Sequence, residues 1–510
     1  MRFSNAASLL CLGLGLSACA TSALDLAPPD ASRPWRPQTA ADGQIVSGKP
    51  DIQPAPGSGF QLPENQQLAH IRPAPDLEPG KVYDLPALID LAESRNALTG
   101  SAWNAARDAA LSVGIARSTY LPRLTVAALG VYQRQDQPSV NVEGFSVSNR
   151  TAGQGTVSAA SMQWLLFDFG QRAALVDAAE QASIVSNIAF TAAHQQVIYD
   201  VALAFYAYAA ARDRQAAAKS SLANAGLVQS AAEAKLRQQQ GTVVETAQAR
   251  LGKAQAELEQ VTADGMVRDK YLALITAAGL SPVTRIDIAQ VDGRPIASPA
   301  TQMTEAAIAD AIGRRPDVLQ AYALQQAGMA QIRAAQAEFL PKVFASGNVS
   351  YSNGQLNLTA VPSVGAQPPL VNLSGSGLGA SIILGVTMPI YDGGTRAALL
   401  GQARAKAENA SIALTHRQDD AVRQIVLSDN ALRTSIAAYA ATSSLVAAAQ
   451  TSFDAALTAY RNGVGSITSV TLAETALARA RQARADAYSA ALTAAVTLAF
   501  ATGTLGSPPN

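Results

Sequence analysis

Residues 170–175 read GQRAAL and residues 394–399 read GTRAAL, 224 positions later (394 − 170). Five of the six letters agree, and each copy closely follows an aromatic-aspartate pair, Phe167-Asp168 and Tyr391-Asp392. The match extends well beyond six letters. Residues 95–122 correspond to 314–341 at an offset of 219 (314 − 95), and both stretches end at Leu-Pro, in TYLPRL and EFLPKV. The chain is therefore an internal duplication, and its fold has to be argued one half at a time. The offset grows from 219 to 224 between these landmarks, which assigns the second half a longer loop there.

After each Leu-Pro comes an alternating segment, then a polar glycine-containing stretch, then a second alternating segment. Leu124, Val126, Ala128, Gly130 and Tyr132 share one face and correspond to Val343, Ala345, Gly347, Val349 and Tyr351. Ala160, Met162, Trp164 and Leu166 correspond to Leu384, Val386, Met388 and Ile390, with Ser161, Gln163, Gly385 and Thr387 on the opposite face. Period-two alternation of apolar with small or polar residues describes strands exposed to two different media. Tyrosines at the ends of equivalent strands are where an aromatic girdle would sit in a membrane barrel.

Each hexapeptide opens a proline-free stretch, 170–241 and 394–465. As one helix this would extend about 100 Å at ~1.5 Å per residue. Val422, Ile425, Leu432 and Ile436 recur at helical spacing with alanines between them, as expected for closely packed helices. Glycine turns follow, QQQGTVVE around Gly241 and RNGVGSIT around Gly465, and a second helix returns to Gly279 or Gly503. Residues 487–502 are nearly uncharged, but alanine and threonine dominate them, so they read as a packed helix rather than a membrane span.

Charged residues are 15% of the 510-residue chain and the formal net charge is +0, which removes the electrostatic footprint of a nucleic-acid binder. The cysteines are Cys11 and Cys19, so the rest of the chain has neither disulfides nor thiolate-bound metal. His70, His194 and His416 are scattered along the chain and suggest no metal site. Met1-Arg2, the apolar run 6–16 and Leu16-Ser17-Ala18-Cys19 form a secretory leader. LSAC resembles a bacterial lipobox, which implies lipidation of Cys19, and Ala20 after it implies export to the outer membrane. Residues 1–18 are thus expected to be a signal peptide and 19–80 a Pro-rich anchored segment. The first repeat is placed at 81–285, a linker at 286–303 and the second repeat at 304–505.

No HExxH, G-x-S-x-G or P-loop pattern is present. GVGSIT at Gly463 and GSGLGA at Gly375 miss dinucleotide-binding spacing, and no cofactor or enzymatic chemistry is expected. Four strands cannot close a membrane barrel, for which about eight is the small end. Open strand edges in lipid are costly, so the strands must be completed by further copies of the chain.

The duplicated order of marks resembles the TolC-type outer-membrane efflux proteins, over about residues 81–505. Those marks are Leu121-Pro122 and Leu340-Pro341, LLFDFGQR and PIYDGGTR, the turns at Gly241 and Gly465, and the closing LAFATGTLG. The resemblance implies an α+β membrane protein: a homotrimer with a 12-stranded β-barrel over a periplasmic α-helical barrel. It implies an exit duct in the outer membrane, served by a periplasmic adaptor and an inner-membrane transporter. Drugs, metal ions, solvents and polypeptides all remain open as cargo. Gly170 and Gly394 become strand-to-helix transitions. Tyr132, Met162, Trp164, Tyr351, Val386 and Met388 become lipid-facing. Gly241, Glu245, Arg461, Gly465, Thr471 and Glu474 fall at a periplasmic gate and docking tip. The family's two acidic gate positions align with Thr471 and Glu474, a thinner acidic ring than the family's pattern. A lipid-anchored adaptor or scaffold is the alternative, but it calls for one helical hairpin flanked by small β domains rather than two equal halves. A passive porin would need many more strands and few helices.

Overall fold

The computed structural model describes residues 81–136, 150–291, 303–354 and 377–506 without a break, with shorter pieces elsewhere. The leader, Cys19, Gly375 and most of the linker 286–303 lie outside the described residues. Met1–Leu77 form one unit and Glu78–Asn510 another. In the first, β1 (Pro37–Thr39) and β2 (Ile45–Ser47) make an antiparallel hairpin, and the Asn65 amide donates to Gly43 O at 3.1 Å.

The second unit starts with β3 (Val82–Tyr83), α1 (Leu85–Arg95) and α2 (Ala97–Ser118). Next come β4 (Arg123–Asp136), a small hairpin of β5 (Val140–Val142) and β6 (Phe145–Val147), and β7 (Arg150–Phe167). The long α3 (Gln171–Arg237) and the returning α4 (Val243–Ala277) complete the first half, and β8 (Asp287–Ile288) pairs in parallel with β3. The second half repeats the plan. α5 (Glu305–Ile312) and α6 (Pro316–Ala337) lead to β9 (Lys342–Gly354). A hairpin of β10 (Asn357–Ala360) and β11 (Val371–Ser374), then β12 (Gly377–Thr387), α7 (Thr395–Arg461) and α8 (Ile467–Ala501) follow. Both long helices have 67 residues, both returning helices 35, and α2 and α6 have 22 each. The duplication read in the sequence is thus a duplication of elements.

Each half begins with a break that alternation and helix patterning did not disclose. Asn96 ends α1 and caps α2 by accepting from Leu98 N at 2.9 Å. Its equivalent is Arg315, followed by Pro316, whose fixed φ suits a first helical position. Both residues also fasten the far end of the returning helix: Asn96 Nδ2 donates to Ala277 O at 3.3 Å, and Arg315 Nη1 to Ala501 O at 2.7 Å.

The four long strands form one antiparallel sheet in the order β12-β9-β7-β4. Val126, Ala160, Val349 and Ala380 lie side by side across it, so the apolar faces read from alternation coincide. On β12, Leu378, Ile382, Leu384 and Val386 are exposed, while Ser381, Ile383 and Gly385 on the other face are half-buried. Gly385 is half-covered because the Phe344 ring lies over it; a Cβ there would come within 2.5 Å of that ring. One strand boundary differs from expectation: β12 ends at Thr387, leaving Met388 and Ile390 outside it. Pro389 has no N–H to give the ladder, so the pairing stops before it.

The helical part packs around α3, which touches α2, α4, α6 and α8, whereas α7 packs chiefly on α6 and α8. Alanine makes the close approach possible, with Ala202, Ala211, Ala232, Ala330, Ala480 and Ala491 all nearly inaccessible. Among the described residues no helix is long and apolar enough to cross a membrane. Residues 487–501 belong to α8, whose Ala487, Ala491, Leu492, Ala494 and Ala501 are buried, as expected of a packed helix.

Candidate functional site

The repeated hexapeptide is a corner. Asp168 Oδ2 accepts from the backbone N and from Nε of Arg172, both at 2.9 Å. Asp392 Oδ2 accepts from the same atoms of Arg396, at 3.0 and 2.7 Å. Each aspartate thereby satisfies an orphan N–H in the first turn of a long helix and pairs with that turn's arginine. The helices can start so abruptly because Gly170 and Gly394 hold φ of 93° and 91°, left-handed backbone that suits glycine. The preceding residues are left-handed too: Phe169 at 51° and Gly393 at 68°. Arg172 further donates to Thr119 O at 3.0 Å and Leu165 O at 2.6 Å and lies 4.5 Å from the Tyr120 ring centroid. Arg396 lies 5.2 Å from Phe339, the residue equivalent to Tyr120.

At the other end of the long helices are two tips. Gln240 N and Gly241 N both donate to Lys235 O, and Val464 N and Gly465 N both donate to Ala459 O, again 224 positions apart (459 − 235). The left-handed residues are Gln239 (φ 58°) and Gly463 (φ 81°), two positions before the glycines that the sequence reading singled out. Gly465 is needed for proximity instead, since a Cβ there would lie 2.9 Å from Tyr460 N. Glu245 is occupied by a capping box: its side chain accepts from Thr242 N at 3.0 Å while Thr242 Oγ1 accepts from Glu245 N.

Lys235 ties one tip to the other. Its Nζ donates to Tyr460 O at 3.1 Å and sits 4.3 Å from the Tyr460 ring centroid. Tyr460 is fully buried among Val228, Ala232, Phe453, Leu457 and Val470. Burial pushes its hydroxyl above the usual tyrosine range, and the charge of Glu245 adds to that. Arg461 is exposed and forms no ion pair or hydrogen bond among the described residues.

Further from the tip, α3 and α8 meet along a polar seam. Ser221 Oγ donates to Glu474 Oε1 at 2.6 Å, Arg214 pairs with Asp486 at 2.5 Å, and Arg481 bonds Ser220 and Gln450. Beside it opens a cleft of about 610 Å³ lined by Arg214, Ser221, Glu259, Thr471, Glu474 and Arg479. Burial raises the Glu474 carboxyl above its ordinary range. The Ser221 bond opposes the shift, Glu259 reinforces it, and Arg481 opposes it.

The model of the outer membrane efflux protein family matches residues 88–280 and 307–504, one match per half. The chain belongs to the outer membrane efflux protein family. It is 27% identical over 441 residues to Protein CyaE of Bordetella pertussis, covering 82% of this chain and 83% of that one. It is 26% identical over 417 residues to outer membrane protein TolC of Salmonella enteritidis, covering 78% of each. The fold is similar to that of the outer membrane protein VceC of Vibrio cholerae, at a TM-score of 0.67 and 19% identity over 82% of this chain and 96% of that one. This efflux protein is therefore an outer-membrane channel of a tripartite efflux or secretion system, not an enzyme, with a periplasmic extension. Its family implies a trimer that works with efflux-pump partners.

Within this efflux protein the expected site residues fall into three groups. Gly170 and Gly394 stand at the corners. Gly241, Glu245, Arg461 and Gly465 share the tip, whereas Thr471 and Glu474 line the seam beside it. Tyr132, Trp164, Tyr351, Val386 and Met388 are exposed and Met162 is half-buried. Trp164 lies near the helical end of β7, and its indole Nε1 donates to Tyr120 O at 2.8 Å. Lys235 and Tyr460 escaped the sequence reading. Lys235 carried one signal, an amphipathic cation just before a turn, but nothing local named its partner 225 positions away.

Proposed function

We propose that this channel is the closed exit duct of a lipid-anchored tripartite system, with a homotrimer forming a 12-stranded barrel. One observation carries the reading: a four-stranded antiparallel sheet with an exposed apolar face runs through ion-paired corners into 67-residue helices whose tips are tied together. In it, Met162, Trp164, Val386 and Met388 face lipid, with Tyr132 and Tyr351 in the girdle, while Gln163 and Thr387 face the lumen. Trp164 sits at the interface with water, since its N–H is bonded to backbone at the base of the sheet.

The tip is the gate. Lys235 holds the two hairpins of one copy together, and Arg461 reaches towards the next copy. The glycine turns at Gly241 and Gly465 receive the periplasmic adaptor, which connects the duct to an inner-membrane transporter. Cys19 carries the lipid. Single-channel recording on the reconstituted protein tests the gate: Lys235→Ala and Arg461→Ala should each raise the closed-state conductance. Unchanged conductance in both would remove the gate from this tip. Mass spectrometry of the mature N-terminus tests the anchor, which an unmodified Ala20 or Leu24 start would eliminate.

A further inference from the structure

The two strands that follow the duplicated Leu-Pro stops each open with a cation, Arg123 on β4 and Lys342 on β9, again 219 positions apart (342 − 123). The ladder sets each beside an equivalent neighbour. Arg123 stands opposite Gln163, and Lys342 stands opposite Thr387, 224 positions on (387 − 163). Directly opposed residues of an antiparallel pair hold their side chains on the same face. The two cations therefore share the face of Gln163 and Thr387, and turn away from the apolar side of Leu124 and Val343. The duplication places both at one level, the end of the sheet nearest the long helices.

Little on the sheet offsets their charge. No charged residue occurs between Lys342 and Asp392, so β9 beyond its first residue and the whole of β12 are neutral. In the first half the same holds for 124–133 and 151–167. Asp168 and Asp392, beyond the strand ends, are each taken by the arginine of their own corner. Arg123 is exposed, with no ion pair or hydrogen bond among the described residues. A cation past a helix C-terminus can serve the helix dipole, but that effect fades within the last turn, and Arg123 bonds no carbonyl of α2. Lys342 Nζ lies 3.5 Å from Glu338 Oε2, and Gln171 donates to the other oxygen. The position equivalent to Glu338 is Thr119, so the first half supplies no matching carboxylate.

We propose that Arg123 and Lys342 form a cationic ring at the inner end of the barrel lumen. The ring binds multiply charged anions and favours cargo bearing phosphate, sulfate or carboxylate groups over cationic cargo. It rests on the reading of this sheet as one wall of an oligomeric barrel, with Gln163 and Thr387 facing the lumen. In a trimer the two positions become six, half of them offset by a neighbouring Glu338. Cations that line a water-filled pore with low-dielectric walls concentrate anions there, and guanidinium groups in addition hold phosphate oxygens in pairs. On the lipid side the same residues would meet headgroup phosphates, out of reach of a soluble anion in the duct.

Single-channel recording on the reconstituted full-length protein tests the ring, with inositol hexakisphosphate added on the side away from the helical tips. Wild-type current should be blocked, and less strongly as potassium chloride is raised, because salt screens exposed charges. In the double variant Arg123→Gln with Lys342→Gln the half-blocking concentration should rise at least about tenfold, with each single variant in between and Arg123→Lys close to wild type. A potassium chloride gradient reads the preference without the blocker: in Arg123→Glu with Lys342→Glu the reversal potential should move towards cation preference. Conductance without blocker, and migration as an oligomer on native gels, confirm that each variant has folded. A wild-type channel that conducts without being blocked, or a double glutamine variant blocked as strongly as wild type, overturns the ring and leaves the channel reading standing. Absence of current from the wild type and from every variant, Lys235→Ala included, overturns both.

Discussion

The first corner, at Asp168 and Arg172, and the second, at Asp392 and Arg396, are built from the same phrase but not set equally deep. Arg172 and Asp168 are almost inaccessible, and Arg172 spends its remaining donors on carbonyls of the chain entering β4 and of the end of β7. Arg396 and Asp392 are more open, and the Arg396 side chain is hydrogen-bonded only to Asp392 among the described residues. The difference follows from position: β7 lies inside the sheet and α3 inside the helix layer, while β12 and α7 lie at the margin. A duplicated motif keeps its local chemistry and takes its energetic weight from its surroundings.

Substitutions at the corners sharpen that contrast. Arg172→Ala leaves Asp168 buried without its partner, and breaking a buried pair in this way costs about 3–5 kcal/mol. Chemical denaturation of the purified protein should show that loss, and a smaller one for Arg396→Ala. Equal losses would mean the second corner is as enclosed in the assembly as the first. Next in size is the backbone. Gly170→Ala and Gly394→Ala each force a side chain into left-handed backbone with no neighbour to clash with, costing about 1–2 kcal/mol apiece. Here the two corners should agree, because the strain is local; a large difference between them would show that the corner geometries diverge.

Glu474 gives the smallest effect and compares the two halves at the seam. Its folded carboxyl is raised, so its contribution to seam stability is complete below the ordinary value of 4.5 and is lost as pH rises through the raised one. Glu474→Gln keeps an acceptor for Ser221 without the charge, so melting curves should become flatter across that window and no less stable at neutral pH. The equivalent residue in the first half is Arg250, which pairs with Glu233 on its own hairpin. Hydrogen bonds from Gln229 and Arg250 hold the Glu233 carboxyl below its ordinary range, so Arg250→Gln should act in the opposite sense, slightly reducing the stability present above the ordinary value of 4.5 and lost as pH falls through the lowered one. Glu474 lies at the seam with one carboxylate oxygen taken by Ser221 Oγ at 2.6 Å, so block of the channel by multivalent cations should respond little to Glu474→Gln. A large loss of block would put this carboxylate, charged, in the lumen.

Alternation, the repeat offsets and the glycine turns made the strands, the long helices and the corners legible, because each is written within a few neighbouring residues. The end of β12 was misjudged from the same signal, since alternation continues through Pro389 although the ladder cannot. The contacts across the tip and the seam were illegible for a different reason. Lys235 with Tyr460, and Ser221 with Glu474, are brought together by two helical hairpins lying side by side, and no local pattern carries such a pairing. Glu245 shows how one letter serves two readings: an acidic residue just past a glycine turn, placed at the gate by resemblance, is also the member of a capping box with Thr242.

The central claim is that one face of this sheet meets lipid and the other meets water. Single cysteines placed along β12 from 380 to 387, labelled in intact outer membranes with a membrane-impermeant maleimide, read it residue by residue. The account predicts alternation: Ser381, Ile383 and Thr387 variants labelled, and Ala380, Ile382, Leu384 and Val386 variants protected, with Gly385 passed over because a side chain there would meet the Phe344 ring. Uniform labelling along the strand, or the opposite alternation, would contradict it.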